Sequence, residues 1–187
     1  MLRATSEAIN GLHGRLIGSS RRPGACLSAY SFYIIDILNM MTATHIIAAG
    51  YVGERIGNPF IAFLVGIVIH FILDSIPHYD TTDGGKLTKR QLTLTFVDLT
   101  IGILIIKFLL KADLSFGSSF LWGAVGGIFP DILDVIPFWQ KAFRSTKFGK
   151  RFHKFHDDIQ RISLPPISGL LIQAIIIIIF SYLYLTR

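Results

Sequence analysis

The sequence predicts an all-α integral membrane protein of about four to five transmembrane helices, with an internal two-helix parallel repeat and a basic interfacial helix. Three observations predict it. Hydrophobic residues make up 51% of the chain and charged ones only 16%, against about 25% charged in soluble domains. The apolar residues also come in long blocks, as membrane spans do. Finally, the string Ile-Leu-Asp-x-Ile-Pro occurs twice, ending at Pro77 and at Pro137. A mean hydropathy of +0.55 leaves too little charge to cover a soluble globule. The single cysteine, Cys26, excludes an intrachain disulfide and a cysteine-based zinc site. A net charge of +6 in such a chain points to basic loops facing anionic lipid, and no nucleic-acid partner is expected.

Residues 1–40 form an N-terminal extension, and residues 41–187 the membrane domain. The extension is basic and serine-rich, with Arg3, Arg15, Arg21 and Arg22. It reads either as a targeting segment or as the product of a start assigned too early, initiation at Met40 or Met41 being the simpler account. A first helix is expected over about residues 42–52, opening on Thr-Ala-Thr, followed by a turn through Gly57-Asn58-Pro59. The second is expected over about 60–76 and ends at Pro77. The third, about 92–110, is apolar apart from Asp98, Lys107 and some threonines; Lys107 reads as a snorkelling side chain. The fourth, about 118–136, carries Gly123-x-x-x-Gly127, a spacing that lets helices approach closely. The fifth, about 164–185, contains no charge. Between the last two, residues 138–162 are rich in Lys and Arg, and Phe148, Phe152, Phe155 and Ile159 recur at helical spacing. This pattern predicts a basic helix lying in the interface plane.

The segment from Gly66 to Pro77 aligns with that from Gly126 to Pro137 at a constant offset of 60 residues. With helices one-two and three-four as paired units, the two copies run parallel, and Asp74 and Asp134 sit at equivalent depth. Loops 78–91 and 138–163 then share one side of the membrane. They carry Lys86, Lys89, Arg90, Lys141, Arg144, Lys147, Lys150, Arg151, Lys154 and Arg161, so the positive-inside rule places them in the cytoplasm of a multi-pass cell-membrane protein.

On this topology the polar residues gather in one layer: His45, His70, Asp74, His78, Asp98, Asp131, Asp134, His153 and His156. Each has an ordinary reading of its own. The aspartates could cap turns or pair with loop lysines, His45 could be a hydrogen-bonded helix-start residue, and His153-x-x-His156 could be a solvated face. Their convergence favours metal. His70, Asp74 and His78 are spaced four apart and would share a face in a continuous helix, although Pro77 ends it and swings His78 free; Asp131 and Asp134, three apart, share one face. Imidazole with carboxylate suits zinc before manganese or iron. Several buried aspartates also need a shared positive partner. His45, His70, Asp74, His78, Asp98, Asp131 and Asp134 are the candidate ligands of one or two divalent ions, with zinc expected. His153 and His156 are the candidate catalytic groups that complete the site or protonate a leaving group.

Thr44-His45 with Gly50, His70-Phe-Ile-Leu-Asp74-Ser-Ile-Pro77-His78-Tyr-Asp80, Asp98, Gly126-x-x-x-Pro130-Asp131-x-x-Asp134 and the late histidine pair together resemble the membrane-bound metal-dependent hydrolase family, itself distantly akin to zinc-dependent phospholipases C. The resemblance covers roughly residues 42–160. It implies a multi-helix membrane fold with a His/Asp metal site that hydrolyses an ester or phosphoester at the cytoplasmic interface. Membrane lipids are the expected partners, and the substrate a lipid-linked or phosphorylated compound. The sequence lacks the later Gln-Pro-x-x-His of the soluble phospholipases, which leaves the substrate open. Two other classes compete: a cation or proton transporter using the intramembrane Asp and His residues, and a non-catalytic membrane adaptor working through its basic loop.

Overall fold

A computed structural model describes residues 42–78, 88–160 and 164–187. The expected N-terminal extension and the centre of the loop after Pro77 lie outside the described residues. Every regular element among the described residues is helical: α1 Thr42–Ile56, α2 Pro59–Asp74, α3 Lys89–Leu104, α4 Ser119–Val135, α5 Pro137–Ser145, α6 Lys147–Ile159 and α7 Pro166–Leu185. A π-helical turn, Ile105–Leu110, prolongs α3 and ends at Lys111 in the left-handed region. Local chemistry sets these boundaries. Gly57, at φ +73°, turns the chain out of α1. The Asn58 side chain then accepts the Ile61 amide, with Pro59 in the first turn where its missing N–H costs nothing. Thr88 and Gln91 form a reciprocal capping box at the start of α3.

Helix α1 is the centre of the bundle, buried without interruption from Thr42 to Gly50 and packed against α2, α3, α4 and α7. Glycines allow the tightest approaches. A Cβ on Gly127 would lie 2.7 Å from Ala49 Cβ and 2.8 Å from the His45 carbonyl oxygen. A Cβ on Gly123 would strike the Ala49 carbonyl. Both members of Gly123-x-x-x-Gly127 therefore seat α4 against the backbone of α1. Helices α2 and α4 meet reciprocally: a Cβ on Gly66 would meet the Gly123 carbonyl, and one on Gly126 the Phe63 carbonyl. Contacts advance in step, from Phe63 beside Trp122 to His70 at Gly127, so these helices run parallel.

By length and composition, two described helical segments are apolar enough to cross a membrane, Gln91–Leu110 and Ile167–Leu185. The pair Ser119–Val135 and Pro137–Ser145, bent by 74°, makes a third if taken as one broken span. At 16 residues, α2 is about 24 Å long, shorter than a membrane core of about 30 Å. It nevertheless exposes Phe60, Leu64, Val68 and Ile72, a stripe at four-residue spacing unsuited to water.

The basic segment differs from the single interfacial helix expected for it. It forms two helices, because the Thr146 hydroxyl accepts the Gly149 amide at 2.9 Å and starts α6 afresh. Gly149 lies against the Phe143 carbonyl, where a Cβ would not fit.

A candidate metal centre at one end of the bundle

The start of α1, the ends of α2 and α4, and α6 bring the site together. Asp74, in the last turn of α2, is its hub. Its Oδ1 lies 3.1 Å from His45 Nε2, and its Oδ2 lies 3.0 Å from His70 Nε2 and 2.9 Å from His156 Nε2. The two imidazoles also face each other, Nε2 to Nε2, at 3.2 Å. Asp131 Oδ1 stands 3.6 Å from each of those nitrogens. Phe71 stacks on Phe152, Phe155 and His156 and seats α6 against α2.

Proton positions give the cluster its meaning. His70 Nδ1 is 2.8 Å from the Gly127 carbonyl oxygen, which can only accept, so Nδ1 carries the hydrogen. Neutral His70 then presents a lone pair at Nε2. His156 Nδ1 faces Asp134 Oδ2 at 3.5 Å, which likewise leaves its Nε2 free to act as a donor atom toward a cation. Two nitrogen lone pairs and a carboxylate oxygen thus converge at 2.9–3.2 Å in surroundings where His70 and Asp74 are fully buried. Such an arrangement repels itself unless something positive sits among the three atoms.

A proton is one such occupant. Burial lowers the pKa of His156, but its bonds to Asp134 and Asp74 and the charges of Asp131 and Asp74 outweigh that and hold it up at about 10. A metal ion is the other. Tetrahedral zinc, with bonds of about 2.0–2.1 Å to nitrogen and oxygen, spaces its donors about 3.3 Å apart. The separations of His70 Nε2, His156 Nε2 and Asp74 Oδ2, and those of the two nitrogens from Asp131 Oδ1, lie around that value, so these donors fit. Two groups with metal-ligand spacing, His45-His70-Asp74 and His70-Asp131-His156, share His70. With Nδ1 committed to Gly127, His70 has one nitrogen to offer, so the two groups describe a single centre.

Outside this ring lies a polar layer. Asp134 Oδ2 accepts from His153 Nδ1 at 2.9 Å, and Asp134 Oδ1 accepts from Arg144 Nε at 2.9 Å. Arg144 Nη2 also donates to the Asp134 carbonyl at 3.0 Å. Asp134 therefore orients His156 from behind, the position that carboxylates take behind metal-bound imidazoles.

Of the residues singled out in the sequence, His45, His70, Asp74, Asp131 and His156 come together, with Asp134 and His153 one layer out. Two others are engaged elsewhere. Asp98 Oδ2 accepts the Ala43 amide at 2.8 Å, capping α1 from a neighbouring helix. His78 Nδ1 bonds the Ile76 carbonyl at 2.8 Å, while the His78 carbonyl accepts the Leu164 amide. His156, expected to complete the site or protonate a leaving group, lies with the candidate donors. Arg144, in the sequence one loop cation among many, and the Gly127 carbonyl also belong to that outer layer. No family model matches the chain, and neither a curated protein nor a solved structure does.

Proposed function

We propose that the chain is a membrane-embedded, metal-dependent hydrolase acting on an ester or phosphoester at the cytoplasmic interface. The observation that carries this reading is the convergence of His70 Nε2, His156 Nε2 and Asp74 Oδ2 on one point, both imidazoles having their other nitrogens occupied. His70, His156 and Asp74 would hold one ion with its fourth position open beside Asp131, and two nitrogens with one carboxylate suit a catalytic zinc. When bound, such an ion supplies Lewis-acid activation of water and of a phosphoryl or carbonyl oxygen. His45 and Asp134 orient the ring, the first through Asp74 and the second through His156. Asp131 is 33% exposed while the three donors are at most 4% exposed. Its carboxylate therefore faces the approach of substrate and is placed to take a proton from the attacking water. His153, partly exposed and bonded to Asp134 and Asp157, is a group outside the ring able to return a proton to a leaving group.

The membrane placement belongs to the same reading. Adding the apolar stripe of α2 and the buried α1 to the longer segments gives four to five spans, with the site and the basic loops on the cytoplasmic side. The reciprocal contacts at Gly66 and Gly126 support α2 and α4 as two copies of one unit. The two nitrogens of His156 reach the two matched aspartates, which supports it further.

The test is metal analysis of the full chain purified in detergent, beside the Asp74→Asn variant. The expected result is about one ion per chain in the parent, as for a single site, and a small fraction of that in the variant. Equal metal content in both would remove the site. Release of inorganic phosphate or headgroup from phospholipids by the loaded protein then tests hydrolysis. Metal retention with no release from any ester or phosphoester, together with cation flux in proteoliposomes, would assign the site to transport.

A further inference from the structure

We propose that α5 and α6 form a docking face for anionic, phosphate-bearing headgroups of the leaflet in which the bundle sits. The inference rests on the membrane placement and needs neither the metal nor the hydrolysis. Helix α5 leaves α4 at a 74° bend, so a chain that rises through the membrane in α4 turns to run across it. The side chains that the turn presents are of two kinds. Phe138, 95% exposed, and Phe148, 67% exposed, stand out with Trp139 and Phe155. Between them Lys141, Lys147, Lys150, Arg151 and Lys154 are exposed. The exposed acids of the two helices, Asp157 and Asp158, are confined to the last turn of α6.

The inward side of α6 is already occupied, by Phe152 against Phe71 and Phe143 and by His156 against Asp74. The cations therefore face away from the bundle. Bare aromatics beside cations are costly in water and favourable at the headgroup boundary, where rings enter the acyl region and lysines meet phosphate. A soluble polyanion would satisfy the charges but leave Phe138 and Phe148 in water. An anionic leaflet satisfies both, and the attraction it adds to each Lys or Arg is screened by salt.

Trp139 lies in this face and Trp122 in α4, so Trp122→Phe leaves Trp139 as the only fluorophore of its kind. This full-length protein is reconstituted in phosphatidylcholine nanodiscs with an equal fraction of brominated phosphatidylglycerol or brominated phosphatidylcholine. The expected result is quenching by both lipids, at least about twofold stronger with the anionic one at low salt. The excess should fall away at high salt and in the variant K147Q/K150Q/R151Q/K154Q, whose circular dichroism reports whether it remains folded. Equal quenching by the two lipids assigns the cations to a soluble polyanion and overturns the proposal. Absence of quenching by either places α5 away from the leaflet and overturns it too. Repeating the measurement with chelator should change nothing, which keeps this outcome separate from the fate of the metal reading.

Discussion

Asp134→Asn separates a ligand from a residue that orients one. In the sequence Asp134 is the twin of Asp74, and both stand as candidate ligands. In the structure Asp74 alone reaches the point between the two imidazoles, and Asp134 meets the back of His156 at 3.5 Å while binding His153 and Arg144 at 2.9 Å each. Asparagine keeps the shape and one acceptor oxygen but loses the charge and the second acceptor. Arg144 and His153 then compete for that oxygen, and His156 loses the carboxylate that fixes its Nδ1 hydrogen and sharpens its Nε2 as a donor. Loss of such an outer partner weakens metal affinity by about 10- to 100-fold, or about 1.4–2.7 kcal/mol. Loss of a direct ligand, as in Asp74→Asn, should reduce binding below detection. Competition with a chromophoric chelator in detergent reads both, with thermal melting of the metal-free proteins as the folding control. Asp134→Asn binding metal as poorly as Asp74→Asn would make Asp134 a ligand; affinity equal to the parent would show that it orients nothing.

Other outcomes follow from the same contacts. Asp98→Ala should destabilise the protein by about 0.5–2 kcal/mol, the range for a lost helix cap, and leave metal content unchanged; a loss of metal would return Asp98 to the ligand set. Gly127→Ala should cost about 1–3 kcal/mol through overpacking against Ala49 and His45 and should also weaken metal binding, because the carbonyl that orients His70 must shift. Chemical denaturation and the chelator assay check the two effects separately. Metal and proton compete for His156, whose pKa without metal is raised to about 10. Between about pH 7 and 9, apparent metal affinity should therefore rise roughly tenfold per pH unit, whereas a flat profile would mean that His156 is not a ligand.

The helices were legible because each is bounded by chemistry visible in one dimension. Asn58-Pro59, Thr88-x-x-Gln91 and Ser118 are cap signals, and α7 is an uncharged apolar run. The close packing at Gly123 and Gly127 was legible too, though not which helix each would meet. The break between α5 and α6 carried a readable signal, Thr146 three residues before Gly149, and the helical spacing of Phe148, Phe152, Phe155 and Ile159 starts only after it. The site was legible as a set of residue types near one end, and its internal order was not. Asp98 has the depth and chemistry of a ligand, and only the fold reveals that the nearest unmet donor is the Ala43 amide. His153 and His156 share a helix face, and whether one or both reach the centre depends on how α6 is seated by Phe71. Arg144 looked like one more loop cation because its partner lies ten residues back, across a sharp bend.

His70 and Asp74 sit on the bundle proper, while His156 rides on α6, 82 positions beyond Asp74. Any ion held among them would cross-link the two, closing a long loop of chain. Ribosomal synthesis would therefore deliver the last donor only after α1 to α4 are made, so loading of such an ion would come late in biogenesis. Exchange would be governed by the same join: with His70, Asp74 and His156 almost wholly buried, an ion leaves when α6 lifts, by local unfolding. The off-rate would then report the stability of one thirteen-residue helix on its aromatic seat, more than the strength of any single coordinate bond.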